Sequence, residues 1–130
     1  MIIQKVAWIE VQDRKALFVR PKGKTLFINV GGKYEKGESD SEALKREITE
    51  ELGAQLLVGT MDYIDMFSAP LADQPDDTVE IKAFWAEVEG VLIPGSEIEE
   101  IGWLTSNDGE RTTPAGWLIL DWLKENELID

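Results

Sequence analysis

The sequence predicts an α/β layered domain built on a mixed β-sheet. Strand-like runs stand before, between and after two helical segments. The first three runs are joined too tightly for helical crossovers, so the sheet must be antiparallel in part. The length of 130 residues suits a single domain, 1–130, that can bury a substantial core.

Residues 2–11 (IIQKVAWIEV) are rich in β-branched and aromatic types and read as a strand. A turn at Gln12–Lys15 leads to a second strand, 16–20 (ALFVR), which forms an antiparallel hairpin with the first. Pro21–Lys24 is a loop, and 25–30 (TLFINV) is a third strand that runs into Gly31 and Gly32. A helix follows. Ser39 is its N-cap, and Glu42 three residues later completes a capping box. Leu44, Ile48 and Leu52 form its core-facing stripe, and Gly53 stands where a left-handed residue ends a helix. Residues 55–67 read as a strand with a break at Gly59-Thr60, and 68–77 as a long exposed loop. A strand over 78–88, a turn at Glu89-Gly90 and a short strand over 101–104 come next, then a polar loop over 106–113. Pro114 occupies the first position of a closing helix after Thr113, and the helix runs to Glu127. Leu118, Leu120, Trp122 and Leu123 cover more than one of its faces, so it should be well packed. Trp103, Trp117 and Trp122 read as core.

Composition narrows the chemistry. There is no cysteine, hence no disulfide, thiolate metal site or cysteine nucleophile. There is no histidine, which removes the commonest general base and zinc ligand. A metal would have to be held by oxygen, which favours Mg²⁺, Mn²⁺ or Ca²⁺. A formal net charge of −13 opposes binding to a nucleic-acid polymer. No apolar run reaches the length of a membrane span, and the first residues do not read as a signal peptide. These features suggest a cytoplasmic protein without a membrane partner, monomeric or homodimeric.

The acidic stretch Gly31–Ala54 (GGKYEKGESDSEALKREITEELGA) stands out. With Leu44 set at 0° on a helical wheel, Ile48 lies at about 40° and Leu52 at about 80°. Glu51 then falls at about −20°, Glu47 at about −60° and Glu50 at about −120°. Glu51 thus borders the buried face, with Glu47 one turn back. Carboxylates at i, i+4 repel unless a cation lies between them, and a divalent ion reverses the sign. The bland alternative is a solvated acidic face paired to Lys45 and Arg46. The glycines favour a site, because they let backbone groups approach an ion or phosphate.

Gly32, Glu38, Arg46-Glu47-Ile48, Glu50-Glu51 and Gly53, at this spacing, resemble the Nudix box of the Nudix hydrolase family; Ala54 stands where that family favours a larger aliphatic residue. The order of strands and the closing helix also look like a MutT-type Nudix domain. The resemblance implies an α/β/α sandwich with a mixed sheet between helices. It also implies Mg²⁺-dependent (or Mn²⁺-dependent) hydrolysis of a nucleoside diphosphate linked to a group X. Carried over by position, Glu47, Glu50, Glu51 and the Gly31 carbonyl resemble metal ligands. Arg46 is similar to an arginine that orients a helix glutamate, and Glu38 supports the loop or a further metal. Glu47 is the first choice of base. A Nudix-fold sensor that binds a nucleotide without cutting it is the alternative, and a calcium-binding structural helix is a third.

Outside the box, Gly32, Lys33, Arg20 and Glu100 are candidates for substrate contact, with Lys22 and Lys24 nearby. Glu80, Glu97 and Glu99 are further candidate acids. Phe27, Tyr63, Phe67 and Trp85 are candidates for stacking on a base. The loop 68–77 and the start of the last helix are placed at the X pocket by elimination. No motif selects X.

Overall fold

The computed structural model describes residues 1–130. The chain forms β1 (Ile2–Ile9), β2 (Val11–Gln12), β3 (Lys15–Pro21), β4 (Val30–Lys33), α1 (Asp40–Leu52), β5 (Gln55–Leu56), β6 (Asp62–Pro70), β7 (Thr78–Trp85), β8 (Val88–Glu89), β9 (Ile98–Leu104), a 3₁₀ segment (Ser106–Arg111) and α2 (Pro114–Glu125). The strands fall into a four-stranded sheet ordered β4-β1-β7-β6, a three-stranded sheet ordered β2-β3-β9, and the pair β5-β8. The four-stranded sheet is mixed: β1 and β7 run parallel, whereas β4 and β6 flank them antiparallel.

Alternation along the strands explains the layers. Val6 and Trp8 on β1, with Leu17 and Val19 on β3, join a core under α1 that includes Leu44, Ile48 and Leu52. Their neighbours Ala7, Ile9, Ala16 and Phe18 join a second core under α2 with Ile119, Leu120 and Leu123. β1 and β3 thus carry core residues on both faces, between α1 and α2, which gives the expected sandwich.

Both α1 caps form as expected. Glu42 N donates to Ser39 Oγ at 3.2 Å, and Ser39 N donates to Glu42 Oε1 at 3.0 Å. Gly53 adopts φ 65° and its amide reaches Thr49 O. Thr113 caps α2 by accepting from Gly116 N.

Other expectations shift. The first hairpin is not made by a continuous strand 2–11. The chain bends at Glu10, and only Val11-Gln12 pairs with Lys15-Ala16, across a turn with positive φ at Asp13 and Arg14. β1 and β3 therefore belong to different sheets. The third strand is displaced: Phe27 and Ile28 make isolated bridges, and the ladder begins at Val30 and includes the glycine pair. The break in 55–67 widens to 57–61, and the following strand continues to Pro70. The strand over 78–88 ends at Trp85, with Val88-Glu89 pairing separately. Strand β9 begins at Ile98 rather than 101, because Ile98 and Glu100 find partners on β3. On α2 the buried stripe is Ala115, Gly116, Ile119, Leu120 and Leu123. Trp117 and Leu118 are exposed, each at 42%. Trp103 and Trp122 are partly buried, one against each core.

Candidate active site

β4 is the edge strand of its sheet, so amides on its outer side lack a ladder partner. α1 packs across this edge. There Gly31 N donates to Glu51 Oε1 at 2.8 Å. A Cβ at Gly31, where φ is 144°, would run into the Val6 carbonyl. At Gly32 a Cβ would lie 2.7 Å from Glu47 Oε1. The two glycines therefore let β4 lie against β1 and let the Glu47 carboxylate rest on the loop backbone.

Arg46 organises the carboxylates. Its Nε and NH2 grip Glu38 in a fork, both at 2.8 Å. NH2 also reaches Lys33 O at 3.0 Å, and NH1 donates to Glu47 Oε1 at 2.8 Å and to Glu50 Oε2 at 3.4 Å. Glu38 additionally accepts from Glu35 N. Arg46 and this amide hold its carboxyl down at about 2. The same bond to Glu38, with Glu47 next in effect after burial, holds the guanidinium firmly charged.

Glu51 has a contrasting environment. Burial pushes its carboxyl up to about 8 against the pull of the Gly31 amide; the charges of Glu47 and Glu50 push the same way as burial, and Lys5 opposes them. Burial also raises Glu47, with Arg46 opposing. Each of these two glutamates has one oxygen committed and its Oε2 free of any protein partner. Glu50 turns outward, 58% exposed. The acidic side chains do not converge as a group of three at ligating distance. The free oxygens are hard donors, and the glycine cradle brings one of the two carboxylates against the loop. This all-oxygen donor set fits a hard divalent cation such as Mg²⁺, Mn²⁺ or Ca²⁺ better than a metal that prefers nitrogen or sulfur ligands.

Lys5 was missed by sequence reasoning. It stands opposite Lys33 in the β1-β4 ladder. Burial lowers its pKa, Lys33 lowers it further, and Glu51 and Glu47 oppose. Like charges directly opposite each other destabilise a sheet pair. No motif could have flagged Lys5, since its role depends on that register.

Two cavities meet at this lysine pair. One, of ≈ 420 Å³, is lined by Gly31, Gly32 and Asn29, with aliphatic walls that include Leu26, Leu71 and Ile81. The other, of ≈ 810 Å³, is polar, with Glu35, Glu38, Glu80 and Lys82. Lys5 and Lys33 line both. The loop 71–74, with Thr113 and Ala115 at the start of α2, lines the first cavity.

Several candidates lie elsewhere. Arg20 and Glu100 are cross-strand partners, with Nε to Oε1 at 2.9 Å, and neither lines these cavities. Lys22, Glu97 and Glu99 line neither, whereas Lys24 borders the first. The aromatic candidates also line neither. Phe27 lies under Arg111, Tyr63 meets Phe84 edge-on, and Phe67 and Trp85 pack on Trp122.

A family model described as NUDIX domain matches residues 4–123. No curated protein matches the chain. Among solved structures, the chain resembles the Escherichia coli ORF135 protein at 27% identity and TM-score 0.72, covering 95% of this chain and 91% of that one. A mutator MutT protein from Bacillus halodurans shares 25% identity at TM-score 0.68, over 92% and 80% of the two chains. The MutT protein of Methanosarcina mazei Go1 shares the fold, at 18% identity and TM-score 0.76, over 97% and 95%.

Proposed function

The chain belongs to the NUDIX hydrolase family, whose members act on pyrophosphate bonds, and on that premise we propose that it hydrolyses a nucleoside diphosphate linked to a group X. The products are a nucleoside monophosphate and phosphorylated X. The observation that carries this reading is the partly buried Glu51 carboxylate on the Gly31 amide, with Glu47 seated against Gly32. Burial of acids this close together is costly unless charge is supplied from outside the protein.

Glu51 and the Gly31 carbonyl would hold Mg²⁺ or Mn²⁺, Glu50 would join by turning in from its exposed position, and Glu47 would border the cation with its Oε2 kept for the proton. When bound, the cation neutralises phosphate charge and lowers the pKa of water. Glu38 has both oxygens gripped by Arg46. We therefore assign it to holding Arg46 in place rather than to the metal. Arg46 in turn fixes Glu47 through Oε1, leaving Oε2 to accept a proton from the attacking water. The water oxygen bonds to phosphorus, the phosphoanhydride P–O bond breaks, and the leaving phosphate takes the electron pair. Lys5 and Lys33 offset the charge of the phosphate oxygens, and Gly32 lets them approach the backbone. Arg20 and Glu100 satisfy each other and pin β3 to β9.

The test is a Mg²⁺- and Mn²⁺-dependent hydrolysis screen with product identification. The panel comprises canonical and oxidised nucleoside triphosphates, nucleotide sugars, ADP-ribose and dinucleoside polyphosphates. Release of a nucleoside monophosphate is expected. Tight binding without turnover on any of them would replace this reading with a nucleotide sensor.

A further inference from the structure

Two polar side chains are buried in this protein, Asn29 and Thr112. Thr112 is satisfied, donating to Phe27 O at 2.8 Å. Asn29, only 8% exposed, is not: its Nδ2 is the one buried side-chain polar atom without a partner. A buried amide without a partner loses the hydrogen bonds that water would give it, and native structures rarely leave one so. Its position explains the exception. Ile28 and Val30 pack toward α1, and Phe27 packs into the core under α2. Alternation sends Asn29 to the α2 side, where it lines the ≈ 420 Å³ cavity continuous with Gly31, Gly32 and the lysine pair.

This cavity sets aliphatic walls among polar groups that include Lys24, Asn29, Asp73 and Gln74, and its volume is within the size range of small-molecule sites. No aromatic residue lines it. A ligand group that fits has flat apolar faces for the aliphatic walls and a hydrogen-bond acceptor on its edge. A nucleobase has both. The second cavity, with its several carboxylates, suits a hydrated group better.

We propose that Asn29 is the base-reading residue: its side-chain amide donates to an acceptor on the edge of a nucleobase held between Leu26, Leu71 and Ile81, while X lies in the polar cavity and not beside the loop 71–74 and the start of α2, where the sequence had placed it. This rests on the nucleotide reading above and adds which arm of the cleft takes the base and which residue recognises it. Without an aromatic platform, base recognition depends on this hydrogen bond more than on stacking.

The experiment is binding of nucleoside monophosphates and of ribose 5-phosphate, measured by calorimetry in EDTA, to wild type and to Asn29→Leu. The ratio of nucleotide to ribose 5-phosphate affinity is expected to fall at least tenfold in the variant. In parallel, the assigned Asn29 side-chain ¹⁵N–¹H resonances of the wild type are followed during nucleotide titration. They should move and become protected from exchange with solvent, a readout that needs no variant to fold. Nucleotide binding that leaves the Asn29 amide unmoved, or an affinity ratio unchanged by Asn29→Leu, overturns the proposal and leaves the hydrolase reading standing. A wild type that neither binds nor hydrolyses nucleotides overturns both.

Discussion

Glu51→Gln separates the cost of the site from its use. The folded carboxyl sits at about 8 against 4.5 for an ordinary glutamate. Below pH 4.5 both folded and unfolded states hold the proton, and burial of Glu51 costs little. Between those values the unfolded chain has lost its proton and the folded chain has kept it. Wild-type stability therefore falls as pH rises, by about 1.4 kcal/mol per pH unit. Above the folded value the penalty levels off, on the order of 5 kcal/mol for the full separation. Glutamine can still accept from Gly31 N but does not titrate. Urea unfolding in EDTA should thus show Glu51→Gln gaining on wild type by roughly 3 kcal/mol between pH 5 and 7.5. Glu47 is raised in the same direction, but it is present in both proteins and cancels to first order. The same variant should lose orders of magnitude in Mg²⁺-dependent turnover. A stability difference that is flat with pH, or that favours wild type at pH 7.5, refutes the burial argument. Near-wild-type turnover at saturating Mg²⁺ refutes the metal-ligand role.

Arg46→Lys keeps the charge but cannot fork onto Glu38 while also reaching Glu47 and Lys33 O. Turnover should fall ~10–100-fold through misplacement of Glu47, in steady-state assays with the fold checked by circular dichroism. Gly32→Ala places a Cβ 2.7 Å from Glu47 Oε1, at a residue whose φ is not positive. It should therefore lower turnover about 100-fold with a nearly unchanged melting temperature; a large loss of stability would mean that Gly32 serves the backbone instead. Ile48→Ala empties a fully buried position and should cost about 2–5 kcal/mol in urea unfolding. Removal of Mg²⁺ by EDTA should lower the wild-type melting temperature more at pH 8 than at pH 6, because ligation needs Glu51 deprotonated. Glu51→Gln should lose most of that pH contrast.

The parts legible in sequence are those fixed by neighbours along the chain. Ser39 and Glu42 cap α1 because the bonds close within one turn. Leu44, Ile48 and Leu52 are buried because helical spacing puts them on one face. The order Glu51, Glu47, Glu50 from buried to exposed also follows from the wheel. Strand limits were less legible. Residues 2–11 look like one continuous strand until Glu10 is seen to turn the chain between sheets. Gly31-Gly32 read as the end of a strand, yet β1 pairs with them and makes them part of β4.

What needed the tertiary structure is whatever depends on contacts between distant segments. Lys5 enters the site only through its register with Lys33, and Glu38 becomes part of the Arg46 grip only once the loop folds back. Arg20 and Glu100, each plausible alone as a substrate contact, turn out to face each other across β3 and β9. Phe27, Phe67, Trp85 and Trp122 are drawn to the core under α2 by their area, and Tyr63 stays exposed away from both cavities, leaving an aliphatic cleft for the ligand. Asn29 is unremarked in sequence because an orphaned amide is defined by the absence of neighbours in space. Sequence by itself determined the helix, its caps and the chemistry of its acids, since these interactions span a few residues. The fold decided which oxygens stay free, which charges meet and where a ligand can lie, since those follow from packing and long-range strand register.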